Sequence, residues 1–296
     1  MTRCGFVALI GAPNAGKSAL LNALVGGKVS IVSPKVQTTR TRITGILTEK
    51  DVQAVFIDTP GLFKPRRRLD RAMVAAAHEA RDTADIVCVV ADVARKDVLS
   101  TIAKIVGKID MEHRKVVLIL NKIDLFDRKK ILPLLAKIND TYKFESVFLI
   151  AATNGSGVKD VRDYLVKNVP EGPFHYDPEQ ASDQPDAILA AEITREKLFM
   201  RLHEELPYGL HVETVNFESE KDSIRLEQTI IITEDRHKGM VIGKGGSMLK
   251  LIGQMAREEL EHIFGCRVHL FLEVVVREGW DERTEMISGM GLDPRA

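Results

Sequence analysis

The sequence predicts an α/β domain built on a mostly parallel sheet wrapped by helices, followed by a smaller α+β domain. Three observations predict it. Short apolar runs alternate with helical stretches through roughly the first 165 residues. A phosphate-loop motif joins the first run to the first helix. After a proline-rich break the pattern changes to alternating strands around a glycine turn.

The runs 6–11 (FVALIG), 53–59 (QAVFIDT), 86–92 (IVCVVAD), 116–122 (VVLILNK) and 146–152 (SVFLIAA) are rich in Val, Ile, Leu and Phe with little alternation. Such runs suit strands buried on both faces. Val158, Val161, Leu165 and Val166 recur at helical spacing, so 158–168 is the expected last helix of this domain. Residues 170–186 hold four prolines and little periodicity, and read as a linker between domains 1–169 and 187–296. Beyond it a helix is expected over 187–204, an extended run over 210–217, and a strand carrying Ile224, Leu226, Ile230 and Ile232. A glycine turn at 243–246 then opens a helix with Ile252, Met255, Ala256, Leu260 and Ile263 on one face, and a strand follows over 266–276. The order is helix, strand, strand, helix, helix, strand.

Composition sets outer bounds. The 296 residues, 45% hydrophobic and 28% charged, are ordinary for a soluble globular protein of two domains. No apolar run approaches the roughly 20 residues of a membrane span. The amino-terminal run flows directly into the nucleotide motif, so it reads as a buried strand rather than a signal peptide. Cys4, Cys88 and Cys266 are far apart and match no metal-ligand spacing, as reduced core residues of a cytosolic protein would. The net charge of zero hides an asymmetry: residues 186–296 carry 14 Lys and Arg against 21 Asp and Glu, leaving this part at −7 and the rest at +7. Nucleic-acid binding by the second domain would therefore need a local basic patch.

Gly11-Ala12-Pro13-Asn14-Ala15-Gly16-Lys17-Ser18, followed by Ala19, fits GxxxxGK[ST] between a strand and a helix. Its amides can cradle phosphate at a helix amino terminus, Lys17 can neutralise the β and γ phosphates, and Ser18 can bind Mg²⁺. Asn121-Lys122-Ile123-Asp124 ends another strand, where ligands bind in α/β sheets. A carboxylate at Asp124 accepts from guanine N1–H and the exocyclic amine; adenine would leave it unpaired, at a cost of about 1–3 kcal/mol. Asp58-Thr59-Pro60-Gly61 also ends a strand, with Asp58 placed to hold Mg²⁺ through water and the Gly61 amide to sense the γ-phosphate. Between these motifs, Gln37-Thr38-Thr39-Arg40 sits in a polar, strand-poor segment. Either threonine could reach the ion, and Thr39 is the preferred ligand over Thr38. The backbone of Ala151-Ala152-Thr153 could meet the guanine carbonyl. Lys17, Thr39 and Gly61 are the candidates for direct involvement in hydrolysis.

With five motifs in this order, and the reading Thr38-Thr39-Arg40 at the second, the chain resembles the Era branch of the translational GTPases. That resemblance implies that Asn14 coordinates a K⁺ ion bridging the phosphates; on the residues alone it could equally cap the P-loop turn. Two departures stand out. Leu62 follows the DTPG motif, where Ras-type enzymes carry the glutamine that orients water. Catalysis would then rest on Mg²⁺, K⁺ and backbone groups, giving a slow hydrolase accelerated when K⁺ or RNA orders the switch segments. Ala151 stands where the family usually has serine, a change that leaves backbone contacts intact.

In the second half, Val241-Ile242-Gly243-Lys244-Gly245-Gly246 before a helix fits the K-homology (KH) signature, a GxxG turn that lets a nucleic-acid backbone approach closely. Ile242 and Ile252 would line a groove for unstacked bases. Arg236, His237, Lys238, Lys244, Lys250 and Arg257 make this neighbourhood basic in an otherwise acidic domain. REKLF at 195–199, EELPY at 204–208 and the strand leading to Trp280 extend the Era resemblance over nearly the whole chain. It implies a type II KH topology and binding near the 3′ end of small-subunit ribosomal RNA during assembly of the small ribosomal subunit. It implies a cytoplasmic protein as well, with peripheral contact at the inner face of the cell membrane a further expectation that no amphipathic or lipidation signal supports. The expected form is a monomer. Lys64 and Arg66–Arg68 read equally as a contact to RNA or the second domain, or as a solvated loop, Trp280 as a packing anchor, and His203, His211 and His269 as non-catalytic. The competing readings are a module whose nucleotide is only structural, and a second domain that binds protein or membrane.

Overall fold

The computed structural model describes residues 1–35, 38–63, 65–202 and 206–296. Gln37, Lys64, His203, Glu204 and Glu205 lie outside them. The chain forms two compact units, Met1–Asp183 with Met290–Ala296, and Gln184–Gly289.

The first unit runs β1 (Arg3–Gly11), α1 (Lys17–Val25), β2 (Ile43–Glu49), β3 (Val52–Asp58), α2 (Arg68–Thr83), β4 (Ile86–Asp92), α3 (Val98–Val106), β5 (Lys115–Asn121), α4 (Ile131–Thr141), β6 (Ser146–Leu149) and α5 (Val158–Asn168). The sheet order is β2-β3-β1-β4-β5-β6, parallel except for β2 against β3. Its central strands are apolar on both sides because helices cover both. Val7 and Leu9 face Leu20 and Leu24 of α1 and Val161 of α5, whereas Ala8 and Ile10 join the cluster of Ile102 in α3 and Ile138 in α4. Since side chains alternate along a strand, such a sheet erases the period-two signal and leaves the continuous runs read above. Cys4 and Cys88 are buried free thiols in this core, and burial pushes both above the ordinary thiol range.

Two parts of this unit differ from expectation. The segment after Arg40 is not strand-poor to its end: Ile43–Glu49 pairs antiparallel with β3, from Ile43 opposite Asp58 to Glu49 opposite Val52. The strand 146–152 pairs only through Leu149; Ala151 turns away to bridge Ser156.

Residues 170–183 are hydrogen-bonded along the sheet. Cys4 N donates to Pro170 O at 3.0 Å and Gly172 N to Thr2 O at 3.1 Å. The fully buried Gln53 accepts from the amides of His175 and Tyr176 at 2.9 and 3.1 Å and donates to Tyr176 O at 3.0 Å. Ile46 N then donates to Ala181 O at 2.8 Å, and Ser182 Oγ to Thr44 O at 2.7 Å. The edge of β2 is thereby partly capped, which removes an open strand edge.

The second unit runs α6 (Asp186–Arg201), β7 (Leu210–Ser219), β8 (Ser223–Ile232), α7 (Lys238–Ile242), α8 (Ser247–Phe264), β9 (Arg267–Val276) and α9 (Thr284–Gly289). In the sheet β7-β8-β9, β7 is antiparallel and β9 parallel to β8. Helix α6 is buried on every side from Ala190 to Phe199, charged residues included. Opposite charges meet there: Arg195 Nε donates to Glu192 Oε1 at 2.7 Å, and Lys197 bonds Glu196 and Glu259. Trp280 is fully buried, donates to Gly209 O at 3.1 Å and stacks on His211. Among the described residues no helix is long and apolar enough to cross a membrane.

Candidate nucleotide site and nucleic-acid groove

The P-loop occupies the turn from β1 into α1. Two positions there are left-handed, Asn14 at φ 62° and Gly16 at φ 91°. Gly11 must lack a side chain because a Cβ would lie 2.3 Å from Val90 O. Pro13, Asn14, Gly16, Lys17, Ser18 and Ala19 line a cleft shared with Thr39 and Gly61. Lys17 Nζ bonds inward to Ala12 O at 3.3 Å and Gly11 O at 3.4 Å. Burial holds its pKa below the ordinary lysine value, an effect opposed by the charge of Asp58.

Hydroxyls from separate segments converge on Asp58. Ser18 Oγ donates to Asp58 Oδ2 at 2.7 Å, Thr39 Oγ1 donates to the same oxygen at 3.3 Å, and the two hydroxyls are 2.8 Å apart. Thr38 is elsewhere, donating to Lys35 O at 2.7 Å. The other oxygen, Asp58 Oδ1, is buried with no hydrogen-bond partner. Burial raises the Asp58 pKa, against the pull of Lys17 and the hydroxyls. A buried, unpaired anionic oxygen beside two hydroxyls is a donor set suited to a hard divalent cation such as Mg²⁺.

Ser30, which sequence reasoning did not single out, joins this cluster: its Oγ donates to Asp58 Oδ2 at 3.2 Å. Asn22 of α1 holds it there, accepting from the amides of Val29 and Ser30, both at 3.0 Å, and donating to Ser30 O at 2.7 Å. A lone Asn within a helix gives no signal of that role. Thr59 Oγ1 donates to Leu9 O at 3.1 Å. The turn at Pro60 and Gly61 lies on the P-loop, where a Gly61 Cβ would meet Pro13 N at 2.7 Å. Leu62 N donates to Gly11 O at 2.9 Å, while its side chain packs on the core.

At the far side, Asn121 ties three loops together. It donates to Ala15 O at 2.9 Å and accepts from Lys122 N at 2.8 Å and Ala152 N at 3.0 Å. Asp124 is exposed beside them. The Ala151 amide donates to Ser156 O at 2.9 Å. With Ala152 engaged by Asn121, the Thr153 amide is the one left for a base.

In the second unit, Gly243, Gly245 and Gly246 all have positive φ (75°, 59° and 79°), with exposed Lys244 between them. A Cβ on Gly243 would lie 2.7 Å from Met248 Cβ. A groove runs from this turn between α8 and β9, lined on the helix side by Gly246, Leu249, Lys250, Gly253 and Arg257. Its other wall is His269–Leu272 of β9. Ile252 does not line it. That residue is fully buried with Ala256 and Leu260 on the core face of α8, and Ile242 packs against the same core. Phe271 of β9, half exposed, was missed because an edge strand facing a helix looks like any other alternating strand. Arg225 lies over its ring at 4.6 Å.

A P-loop, an Mg²⁺-type hydroxyl–carboxylate cluster and an NKxD loop on one sheet define a guanine-nucleotide-binding domain, here joined to a KH domain. The family model described as a 50S ribosome-binding GTPase matches residues 6–122, and that of the KH domain matches 205–281. GTPase Era of Rhizobium meliloti is 52% identical over 293 residues, covering 99% of this chain and 93% of the relative. Its Caulobacter vibrioides counterpart is 49% identical, with 99% and 97% covered. A solved structure of an Aquifex aeolicus Era variant bound to GDP·AlF4⁻ superposes with a TM-score of 0.91 at 34% identity, covering 98% of this chain and 99% of that one. An Era complex with MgGDPNP and nucleotides 1506–1542 of 16S ribosomal RNA gives the same TM-score at 33% identity and the same coverage. The chain belongs to the Era family of GTPases.

Proposed function

We propose that this GTPase is a switch that binds single-stranded RNA at the 3′ end of small-subunit ribosomal RNA while the small subunit is assembled. The observation that carries the proposal is the pairing, in one chain, of the Ser18–Thr39–Asp58 cluster with a GxxG groove. The relative solved with a 16S fragment and a GTP analogue supports the choice of RNA.

Within the nucleotide site, the amides of residues 11–19 and Lys17 bind the phosphates, and Ser18, Thr39 and Asp58 hold Mg²⁺. That ion would neutralise charge on the β and γ phosphates. Thr39 and Gly61 sense the γ-phosphate, Asn121, Lys122 and Asp124 read guanine, and the Ala151–Thr153 loop offers the Thr153 amide to its carbonyl. Asn14 ligates K⁺ through its side-chain oxygen while its amide holds the switch segment at Pro34 O, 2.7 Å away. With Leu62 unable to orient water, turnover depends on ordering Thr39 and Gly61. In the groove, Gly243–Gly246 admit the RNA backbone, Lys244, Lys250 and Arg257 meet phosphates, and Ile242 supports the turn from below. The functional modules are 1–169 and 187–296, joined by 170–186. The chain acts as a cytoplasmic monomer.

The test is GTP hydrolysis in K⁺ against Na⁺, with and without an RNA fragment from the 16S 3′ end. Stimulation by both supports the switch. RNA that binds equally to the GTP and GDP forms, with no effect on turnover, refutes it.

A further inference from the structure

Lys122 is the one residue of the guanine motif with a left-handed backbone, at φ 67°. Its ammonium does not hang free: Nζ donates to Asp92 Oδ2 at 2.7 Å. Asp92 ends β4 and stands in register with Asn121 of β5. Its other oxygen accepts from Ala94 N at 3.0 Å, which fixes the carboxylate's rotamer, and Val93 N donates to Asn121 O at 3.0 Å. The side chains of Lys122 and Asp92 are 31% and 11% exposed, so the pair lies at the rim of the site rather than in bulk solvent. The neighbouring cation, Arg95, is committed to Asp97 at 2.8 Å. Asp92 belongs to none of the five nucleotide motifs.

We propose that Asp92 is a positioning residue for guanine: by anchoring the Lys122 ammonium, it sets the lysine's methylene stem as a wall of the base slot between Asn121 and Asp124. A lysine stem lies well along flat apolar surface, but an unanchored one must be ordered when nucleotide binds. Anchoring it beforehand removes that loss from binding. Because the pair is partly solvated, the effect is moderate.

The test uses the full-length chain, fluorescent GDP and steady-state GTP hydrolysis. Asp92→Asn should weaken GDP binding roughly three- to tenfold and raise KM by a similar factor while kcat stays within about twofold, the split expected of a uniform binding contribution. Asp92→Glu should recover part of the loss. Lys122→Met keeps the stem but removes the ammonium, and in that background Asp92→Asn should have no further effect, since the two residues act as one unit. Equal losses in both backgrounds would overturn the proposal. So would a lowered urea midpoint for Asp92→Asn with unchanged GDP affinity, because a purely structural carboxylate behaves that way.

Discussion

A methyl group on Gly16 would lie 2.1 Å from Nδ2 of Asn121. The phosphate loop and the guanine motif, more than 100 residues apart, therefore close on each other without room for a side chain. Asn121 fills that contact by donating to Ala15 O while receiving the Lys122 and Ala152 amides.

Removing either partner should be costly in different ways. Asn121→Ala leaves one buried carbonyl and two amides seeking partners, at about 1–3 kcal/mol for each unmet group. GDP affinity should fall at least about tenfold to a hundredfold. Gly16→Ala adds backbone strain at φ 91° to the clash and should bind GDP more weakly still. Equilibrium titration with fluorescent GDP, alongside urea unfolding, measures both; affinities within twofold of the parent protein would disprove the hub role.

The potassium expectation rests on Asn14, whose amide also reaches Pro34 O. Asn14→Ala should abolish the difference in hydrolysis rate between K⁺ and Na⁺ buffers. Mg²⁺-dependent GDP binding should change by less than about threefold, because Ser18 and Asp58 are untouched. A K⁺ effect that survives the substitution would move the ion elsewhere.

Much of the nucleotide site was legible because its chemistry uses fixed spacings at strand ends, and those strands, buried on both faces, announce themselves as continuous apolar runs. What escaped has physical reasons. Strand β2 carries Thr44, Gly45 and Thr48 among its apolar residues and turns back through Lys50-Asp51 rather than an Asn-Gly pair, so neither run nor turn stands out. Ser30 reaches Asp58, and Asn22 holds Ser30 in place, through hydrogen bonds that no spacing encodes. Ile252 was placed in the groove because helical periodicity identifies an apolar face without saying what that face meets. The groove wall at Phe271 needs the pairing of β9 with β8, which is a property of the fold.

The order along residues 170–183 depends on Gln53, a polar residue in a strand whose neighbours are apolar. Gln53→Ala would strip three hydrogen bonds from the backbone at His175 and Tyr176. Those groups are partly reachable by water, so a loss of about 2 kcal/mol is expected, or roughly 4–8 °C in the Tm of this unit. Gln53→Leu should destabilise as much, since shape alone cannot replace the bonds. Hydrogen exchange at the His175 and Tyr176 amides supplies the local readout: protection unchanged in the variant would show that the segment is held by other contacts.

The groove prediction separates backbone from charge. Gly243→Asp introduces a side chain where a Cβ already meets Met248 at 2.7 Å, and sets a negative charge where phosphate should pass. Binding of a short single-stranded RNA should drop below detection, while hydrolysis without RNA is unaffected. Lys250→Ala and Arg257→Ala act differently. Each exposed cation removes one phosphate contact, so the slope of log affinity against log salt should shrink by about 0.7 per substitution while sequence preference stays the same. Because the second half of the chain is net negative, these few local charges must supply the attraction. A salt slope that does not change in the double variant would place the RNA on another surface of the domain.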